Sequence, residues 1–245
     1  MTKTIILIPS RLDASRLPRK PLLKINDKAL INHVYEKGQS TNIGDVYVAT
    51  GDQEIFEEVI KNNGKSILTK KKHFTGTDRI FEALETLNLK DIEYIINLQG
   101  DEPLINREDI INLNNLAIKN NSDIATLACQ LKQNNIKNEN IVKVVCKENI
   151  EKKGFSSAKH FFRSAQMTDS NNIYHHIGIY FYKLSILQKF VTLKQTQNEK
   201  NLKLEQLRAL DNNIKIDVIF TNSIPIGVDT NEDYLEIKKL MEYKS

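Results

Sequence analysis

Four cations, Arg11, Arg16, Arg19 and Lys20, fall in the short segment Arg11–Lys20, directly after an apolar run, Thr4–Pro9. Guanidinium forks and an ammonium group in a loop at the end of a strand suit phosphate oxygens. Pro18 and Pro21 fix the backbone on either side of Arg19 and Lys20. The glycines of a phosphate-binding loop are absent, so charge has to replace close backbone approach. A solvated surface loop is the other reading of the same residues.

Two further segments carry carboxylates in suggestive places. Asn97-Leu98-Gln99-Gly100-Asp101-Glu102-Pro103 ends an apolar run in a tight turn. Asp101 there either caps the turn or offers a hard oxygen ligand to a divalent cation such as Mg²⁺. In Gly227-Val228-Asp229-Thr230-Asn231-Glu232-Asp233, Thr230 or Asn231 reads as the N-cap of a last helix, with Glu232 and Asp233 at its positive end. That role leaves Asp229 without an explanation, and a second metal carboxylate is the alternative. Phe74-Thr75-Gly76-Thr77-Asp78-Arg79 reads as a turn and cap, with Thr77 as the cap, or as the backbone lining of a base pocket. Leu204-Glu205-Gln206-Leu207-Arg208 reads as an amphipathic helix whose polar face is solvated, or as a ligand-facing helix.

The elements that must hold these residues follow from periodicity. Strands are predicted at Thr4–Pro9, Asp45–Thr50, Lys65–Thr69, Tyr94–Leu98 and Asp123–Leu131. Helices are predicted at Ala29–Gly38, Gln53–Asn63, Thr77–Leu87 and Glu108–Lys119. This alternation predicts an α/β fold, a mostly parallel sheet flanked by helices. Ligands in such folds sit beyond the carboxyl ends of the strands, where strand order reverses. The segments after each strand, Ser10–Pro21, Thr50–Gln53 and Gln99–Pro103, are therefore the ones to watch. The second half is less regular. It offers strands at Ile141–Cys146, Ile173–Tyr182 and Ile214–Phe220, and helices at Ser185–Leu193, Leu202–Leu210 and Asn231–Tyr243. Asn149–Asn172 is polar, without clear periodicity, and has the character of a mobile lid.

Composition narrows the class. The 245 residues, 40% hydrophobic and 27% charged, are enough for one packed domain and argue against bulk disorder. No apolar tract reaches membrane-spanning length, and the apolar run near the N-terminus is too short for a secretory signal, so the expectation is a cytoplasmic protein that does not enter a membrane. The net charge of +4 is spread along the chain and not gathered in a stripe, which argues against nucleic-acid binding. Cys129 and Cys146 have no metal-ligand spacing and read as buried thiols.

Taken together, eight segments in order along nearly the whole chain resemble the 3-deoxy-manno-octulosonate (Kdo) cytidylyltransferases: Ile8–Leu22, Val48–Asp52, Thr75–Arg79, Asn97–Ile105, Asn138–Val145, His176–Tyr180, Leu204–Arg208 and Gly227–Tyr234. The resemblance implies a Rossmann-like nucleotide-diphospho-sugar transferase sheet in one domain. Its nucleotide-binding core would cover roughly residues 1–130, a sugar-side and dimerisation subregion 131–220, and a metal-ligand loop with the C-terminal helix 221–245. It implies that Kdo or a close analogue attacks the α-phosphate of CTP, giving CMP-Kdo and pyrophosphate for lipopolysaccharide biosynthesis.

Residue by residue, the resemblance implies that Arg11, Arg16 and Lys20 hold the triphosphate and that Asp101 and Asp229 hold Mg²⁺. Pro9, Ser10, Thr75, Gly76, Thr77, Arg79 and Gln99 complete the nucleotide site. Arg163, His176, Tyr180, Glu205 and Gln206 meet the sugar, and the partners are CTP, the sugar acid and a second copy in a homodimer. Two stretches depart from the family pattern. His160-Phe161-Phe162-Arg163-Ser164-Ala165-Gln166-Met167 keeps the arginine but lacks the usual serine before it and the Ile-Pro after it, and Glu199-Lys200-Asn201-Leu202 lacks a second acid. Both lie on the acceptor side and admit an 8-amino-Kdo-like or nonulosonic acid as the sugar. A sugar-nucleotide-dependent glycosyltransferase and a non-catalytic nucleotide-binding protein are the readings from other classes.

Overall fold

Thr4–Ser10 is buried along almost its whole length, as expected of a strand with both faces covered. It is strand β1 of a computed structural model that describes residues 3–13, 16–164, 171–224 and 226–243. The chain divides into two compact units, Met1–Ile111 together with Pro225–Ser245, and Asn112–Ile224. After β1 come a 3₁₀ turn (Lys20–Leu22), β2 (Lys24–Ile25), β3 (Lys28–Ala29), α1 (Leu30–Ser40), β4 (Val46–Thr50), α2 (Gln53–Lys61), β5 (Ser66–Leu68), α3 (Gly76–Leu87), β6 (Tyr94–Asn97) and α4 (Arg107–Lys119). The second unit continues with β7 (Ile124–Gln130), β8 (Lys143–Cys146), α5 (Ile150–Lys153), β9 (Phe155–Phe162), β10 (Ile173–Lys183), α6 (Leu184–Thr192), α7 (Gln197–Leu202), α8 (Leu207–Asp211) and β11 (Ile216–Phe220). The last helix, α9 (Asn231–Glu242), belongs to the first unit.

The first unit has the expected parallel sheet. β1 pairs in parallel with β4 on one side and β6 on the other, and β5 extends the sheet beyond β4. Strand order runs outward from β1 and then returns to its other side, so the reversal lies at the strand that leads into Arg11. The buried face of α1 is Leu30, Ile31, Val34, Tyr35 and Gly38, at helical spacing. α3 opens on a capping box, in which Thr75 Oγ1 accepts from the Asp78 N–H and the Asp78 carboxylate accepts from the Thr75 N–H. Thr75 is the cap, two residues earlier than the Thr77 that the sequence suggests.

The second unit departs from the parallel expectation. β11 pairs with β7 in parallel, but β10–β7, β10–β8, β11–β9 and β8–β9 are antiparallel. The short link through α5 joins β8 to β9, which only an antiparallel pair permits. Asn149–Asn172 is not one irregular segment. It contains α5 and all of β9, whose register against β8 and β11 is fixed, while the part of the expected lid at 165–170 lies outside the described residues.

The single helix expected at Leu202–Leu210 is also two. α7 ends at Leu202, Lys203 takes a left-handed backbone (φ 52), and α8 starts at Leu207. A buried ion pair holds the fold-back: the Arg208 guanidinium donates to both carboxylate oxygens of Glu199, at 2.9 and 2.6 Å, over the ring of Phe190. Cys129 and Cys146 are buried and not in a disulfide, as expected. No helix among the described residues is long and apolar enough to cross a membrane.

Candidate active site

Parallel pairing brings the ends of three strands of the first unit to one edge. Ser10 is in register with Thr50, and Leu7 with Asn97, so Arg11, Asp52 and Gln99 leave the sheet on the same side. The Asp52 carboxylate accepts the Leu12 N–H at 2.9 Å and ties the basic loop to the start of α2. Gly51 is required there, because a Cβ would lie 2.6 Å from Lys71 Cα. Arg19, with a left-handed backbone (φ 59), turns to Glu54 of α2 and pairs with its carboxylate, Nη1 to Oε1 at 3.1 Å.

Asp229 reaches the same edge through packing. Val228 is fully buried in an apolar cluster with Leu17 of the basic loop, Ile25, Leu30 and Ile237 of α9. The Val228 N–H donates to the carbonyl of Asp101 at 2.9 Å. Thr230 caps α9 through a reciprocal box with Asp233, whose carboxylate also accepts the Asp229 N–H at 3.0 Å, so the cap uses the backbone of Asp229 and leaves its carboxylate to the cleft. The two distant aspartates therefore meet on Lys20, whose Nζ lies 2.7 Å from Asp101 Oδ2 and 3.3 Å from Asp229 Oδ1. Arg16 Nη2 lies 3.1 Å from Asp229 Oδ2.

A cleft of about 810 Å³ opens over this cluster. Its walls include Pro9, Ser10, Arg11, Arg16, Lys20, Thr75, Gly76, Arg79, Gln99, Asp101 and Asp229. Thr77 stands apart: it is buried in the first turn of α3 and is not among the walls. Arg79 is a wall residue with a committed guanidinium, which donates to Thr69 Oγ1 at 2.6 Å and to the carbonyls of Lys70 and Lys71 at 3.2 Å. It braces the loop opposite Gly51. Asp52, His73 and Phe74 are the contributions that motif reading left without a role; His73 and Phe74 line the cleft, and Phe74 is 91% exposed. The position of Asp52 after a strand was the available signal.

Burial opposes the Lys20 ammonium, but the two aspartates outweigh it and its pKa is raised. Glu102 goes the other way: burial first, then Asp101 and Asp229, push its carboxyl up to about 8 against the pull of Lys20. Glu102 Oε2 is buried without a partner among the described residues. Two hard carboxylates beside a buried carboxyl oxygen that no other group satisfies among the described residues fit a divalent cation that also takes phosphate oxygens, and Asp101 and Asp229 are the residues that would hold it.

The second unit holds the remaining expected residues. His176 and Tyr180 lie side by side on β10, ring centroids 5.5 Å apart. Burial, then the charges of His175 and Arg163, lower the His176 pKa to about 3. Burial, then Tyr182 and Glu205, raise that of Tyr180. Both are neutral at working pH, which suits hydrogen bonding to hydroxyl groups. Gln206 is buried and not on a solvated face, and Arg208 Nη2 lies 3.9 Å from Glu205 Oε1. The Arg163 guanidinium donates to the carbonyls of Leu202, Glu139 and Asn140. Lys143, fully buried, donates to the carbonyls of Asn138 and Arg163 at 2.6 and 2.7 Å, an interior brace that periodicity does not reveal.

The chain is similar to known proteins along nearly its whole length. Residues 5–216 match the family model described as cytidylyltransferase. The chain is 43% identical to a 3-deoxy-manno-octulosonate cytidylyltransferase of Thermodesulfovibrio yellowstonii over 94% of each chain. It is 36% identical to that of Bartonella bacilliformis over 98% of each. Among solved structures, a CMP:2-keto-3-deoxy-manno-octonic acid synthetase complexed with CTP superposes with a TM-score of 0.89 at 32% identity, over 99% of both chains. A UDP-glucose pyrophosphorylase complexed with UDP-glucose, at 16% identity and a TM-score of 0.70, shares the fold.

Proposed function

We propose that this chain, which belongs to the cytidylyltransferase family and within it to the 3-deoxy-manno-octulosonate cytidylyltransferases, activates Kdo or a close analogue with CTP. The anomeric oxygen of the sugar acid bonds to the α-phosphorus, the bond from that phosphorus to the bridging oxygen breaks, and pyrophosphate leaves with CMP-Kdo as product. The observation that carries this reading is the meeting of Asp101 and Asp229 on Lys20 at the foot of a cleft walled by Arg11 and Arg16.

Each residue has a task that its position supports. Arg11, Arg16 and Lys20 neutralise the triphosphate, and Gln99 with the Thr75–Gly76 turn borders the ribose and base. Asp101 and Asp229 hold Mg²⁺, which supplies charge to the phosphates and acidity to the attacking hydroxyl. His176, Tyr180, Glu205 and Gln206 recognise the sugar acid, and Arg163 and Arg208 hold the backbone and carboxylate around them. No covalent enzyme intermediate is required, because the reaction depends on positioning and charge. The family resemblance also supports a cytoplasmic homodimer that supplies lipopolysaccharide synthesis.

The test is a panel of ulosonic acids, namely Kdo, 8-amino-Kdo and a nonulosonic acid, each with CTP and Mg²⁺, read by pyrophosphate release. Stoichiometric pyrophosphate with Kdo or its amino analogue is the expected result. Release of free nucleotide without pyrophosphate points to a glycosyltransferase, and tight CTP binding without turnover on any acid points to a binding protein.

A further inference from the structure

The strand that carries His176 and Tyr180 is not regular. Opposite β7, Ile177 pairs with Leu127 and Tyr180 with Thr126, so Gly178 and Ile179 have no partner and bulge out of the ladder. In a straight strand two residues four apart are separated by roughly 13 Å. The bulge instead sets the His176 and Tyr180 rings 5.5 Å apart.

Thr126, fully buried on β7, faces this bulge. Its Oγ1 lies 2.7 Å from the Ile179 carbonyl, 3.0 Å from the Ile177 carbonyl and 3.0 Å from His176 Nε2. A hydroxyl has one proton, and carbonyl oxygens only accept. The proton of Thr126 therefore goes to the bulge carbonyls, and its lone pair faces His176 Nε2, which must carry the ring proton. Were Nε2 bare, two carbonyls and a ring nitrogen would compete for one proton in a buried place, at the cost of an unmet acceptor. The second ring nitrogen, Nδ1, has no hydrogen bond among the described residues. Phe161 meets the imidazole edge-on with ring centroids 5.1 Å apart, which further limits its rotation.

We propose that Thr126 is a positioning residue: one hydroxyl fixes both the β10 bulge and the Nε2–H tautomer of His176, so that Nδ1 is presented as an acceptor for a hydroxyl of the sugar acid. The tautomer half stands on the contacts alone. The ligand half rests on the reading of His176 as a sugar-facing residue given above.

Long-range ¹H–¹⁵N correlation spectra of histidine-labelled protein test the first half without substrate. The expected result is a pyridine-type Nδ1 and a pyrrole-type Nε2 for His176 in the wild type and in Thr126→Ser, and loss of that fixed pattern in Thr126→Val. A wild-type spectrum with the proton on Nδ1 overturns the proposal, whatever the variants do. Kinetics test the second half. Thr126→Val, checked for folding by circular dichroism, is expected to raise KM for the sugar acid about tenfold with KM for CTP unchanged, and Thr126→Ser to restore it. A changed tautomer with an unchanged sugar KM overturns the acceptor role. If the wild type turns over no ulosonic acid, the proposed reaction fails while the spectra still decide what Thr126 does.

Discussion

Lys20 bridges the two carboxylates proposed to hold the metal. Its ammonium is held between Asp101 and Asp229 at 2.7 and 3.3 Å. On the proposed reading Asp101 and Asp229 would hold the metal, and Lys20 would be left to pair with phosphate. Lys20→Ala is expected to lower kcat/KM at least a hundredfold, about 2.7 kcal/mol of barrier; activity within a few-fold of wild type contradicts the role. Arg79 has a different part despite lining the same cleft, because three acceptors of the 69–71 loop already hold its guanidinium. At this scale the sequence was informative where a side chain had no other explanation. The carboxylate of Asp229 stood outside the cap pattern of α9, and it is the group that meets Lys20. It was uninformative for Thr126 and Lys143, whose partners are backbone carbonyls that no spacing displays.

Elements decide how those side chains are held. The basic loop is fastened to α2 at two points, Leu12 N–H on Asp52 and Arg19 on Glu54. Asp52→Ala removes a charged acceptor worth roughly 1.5–3 kcal/mol to the loop. It should raise KM for CTP by about tenfold or more while leaving the sugar KM unchanged, measured by initial rates. The α7–α8 fold-back depends on one buried pair. Glu199→Gln removes the nearer of the two carboxylates beside the buried Arg208 guanidinium, and the expected loss is about 3 kcal/mol in urea unfolding. An unchanged midpoint removes the pair from the account. These elements mark the boundary of what periodicity reports. β1, β4, β6 and the helices between them follow from apolar runs and amphipathic spacing, and their ends differ from expectation by a residue or two. The apolar spacing Leu204, Leu207, Leu210 suggested one helix, because a nine-residue ion pair and a left-handed lysine leave no periodic trace. β9 was missed for a related reason: its polar residues alternate with buried ones only once its partners β8 and β11 are known.

At the scale of the molecule, buried neutral histidine makes stability depend on pH. His176 titrates at 6.5 in an ordinary setting and near 3 in the fold. Between those values the unfolded chain holds a proton that the folded chain does not, so stability falls as the medium is acidified, by up to about 1.4 kcal/mol per pH unit from this group. His160 and His175, also lowered by burial, act in the same direction. His176→Gln should flatten the decline below pH 6.5 in urea titrations; an unaltered slope assigns it elsewhere. The reaction draws on the first unit for every group proposed to touch nucleotide and metal, including Asp229, which returns to it after the whole of the second unit. The most direct measurement is therefore pyrophosphate release by Asp229→Asn at saturating CTP, Kdo and Mg²⁺, in protein shown by circular dichroism to be folded. The account predicts a rate at least a thousandfold below wild type, about 4 kcal/mol of barrier, with CTP still bound; a rate close to wild type contradicts it.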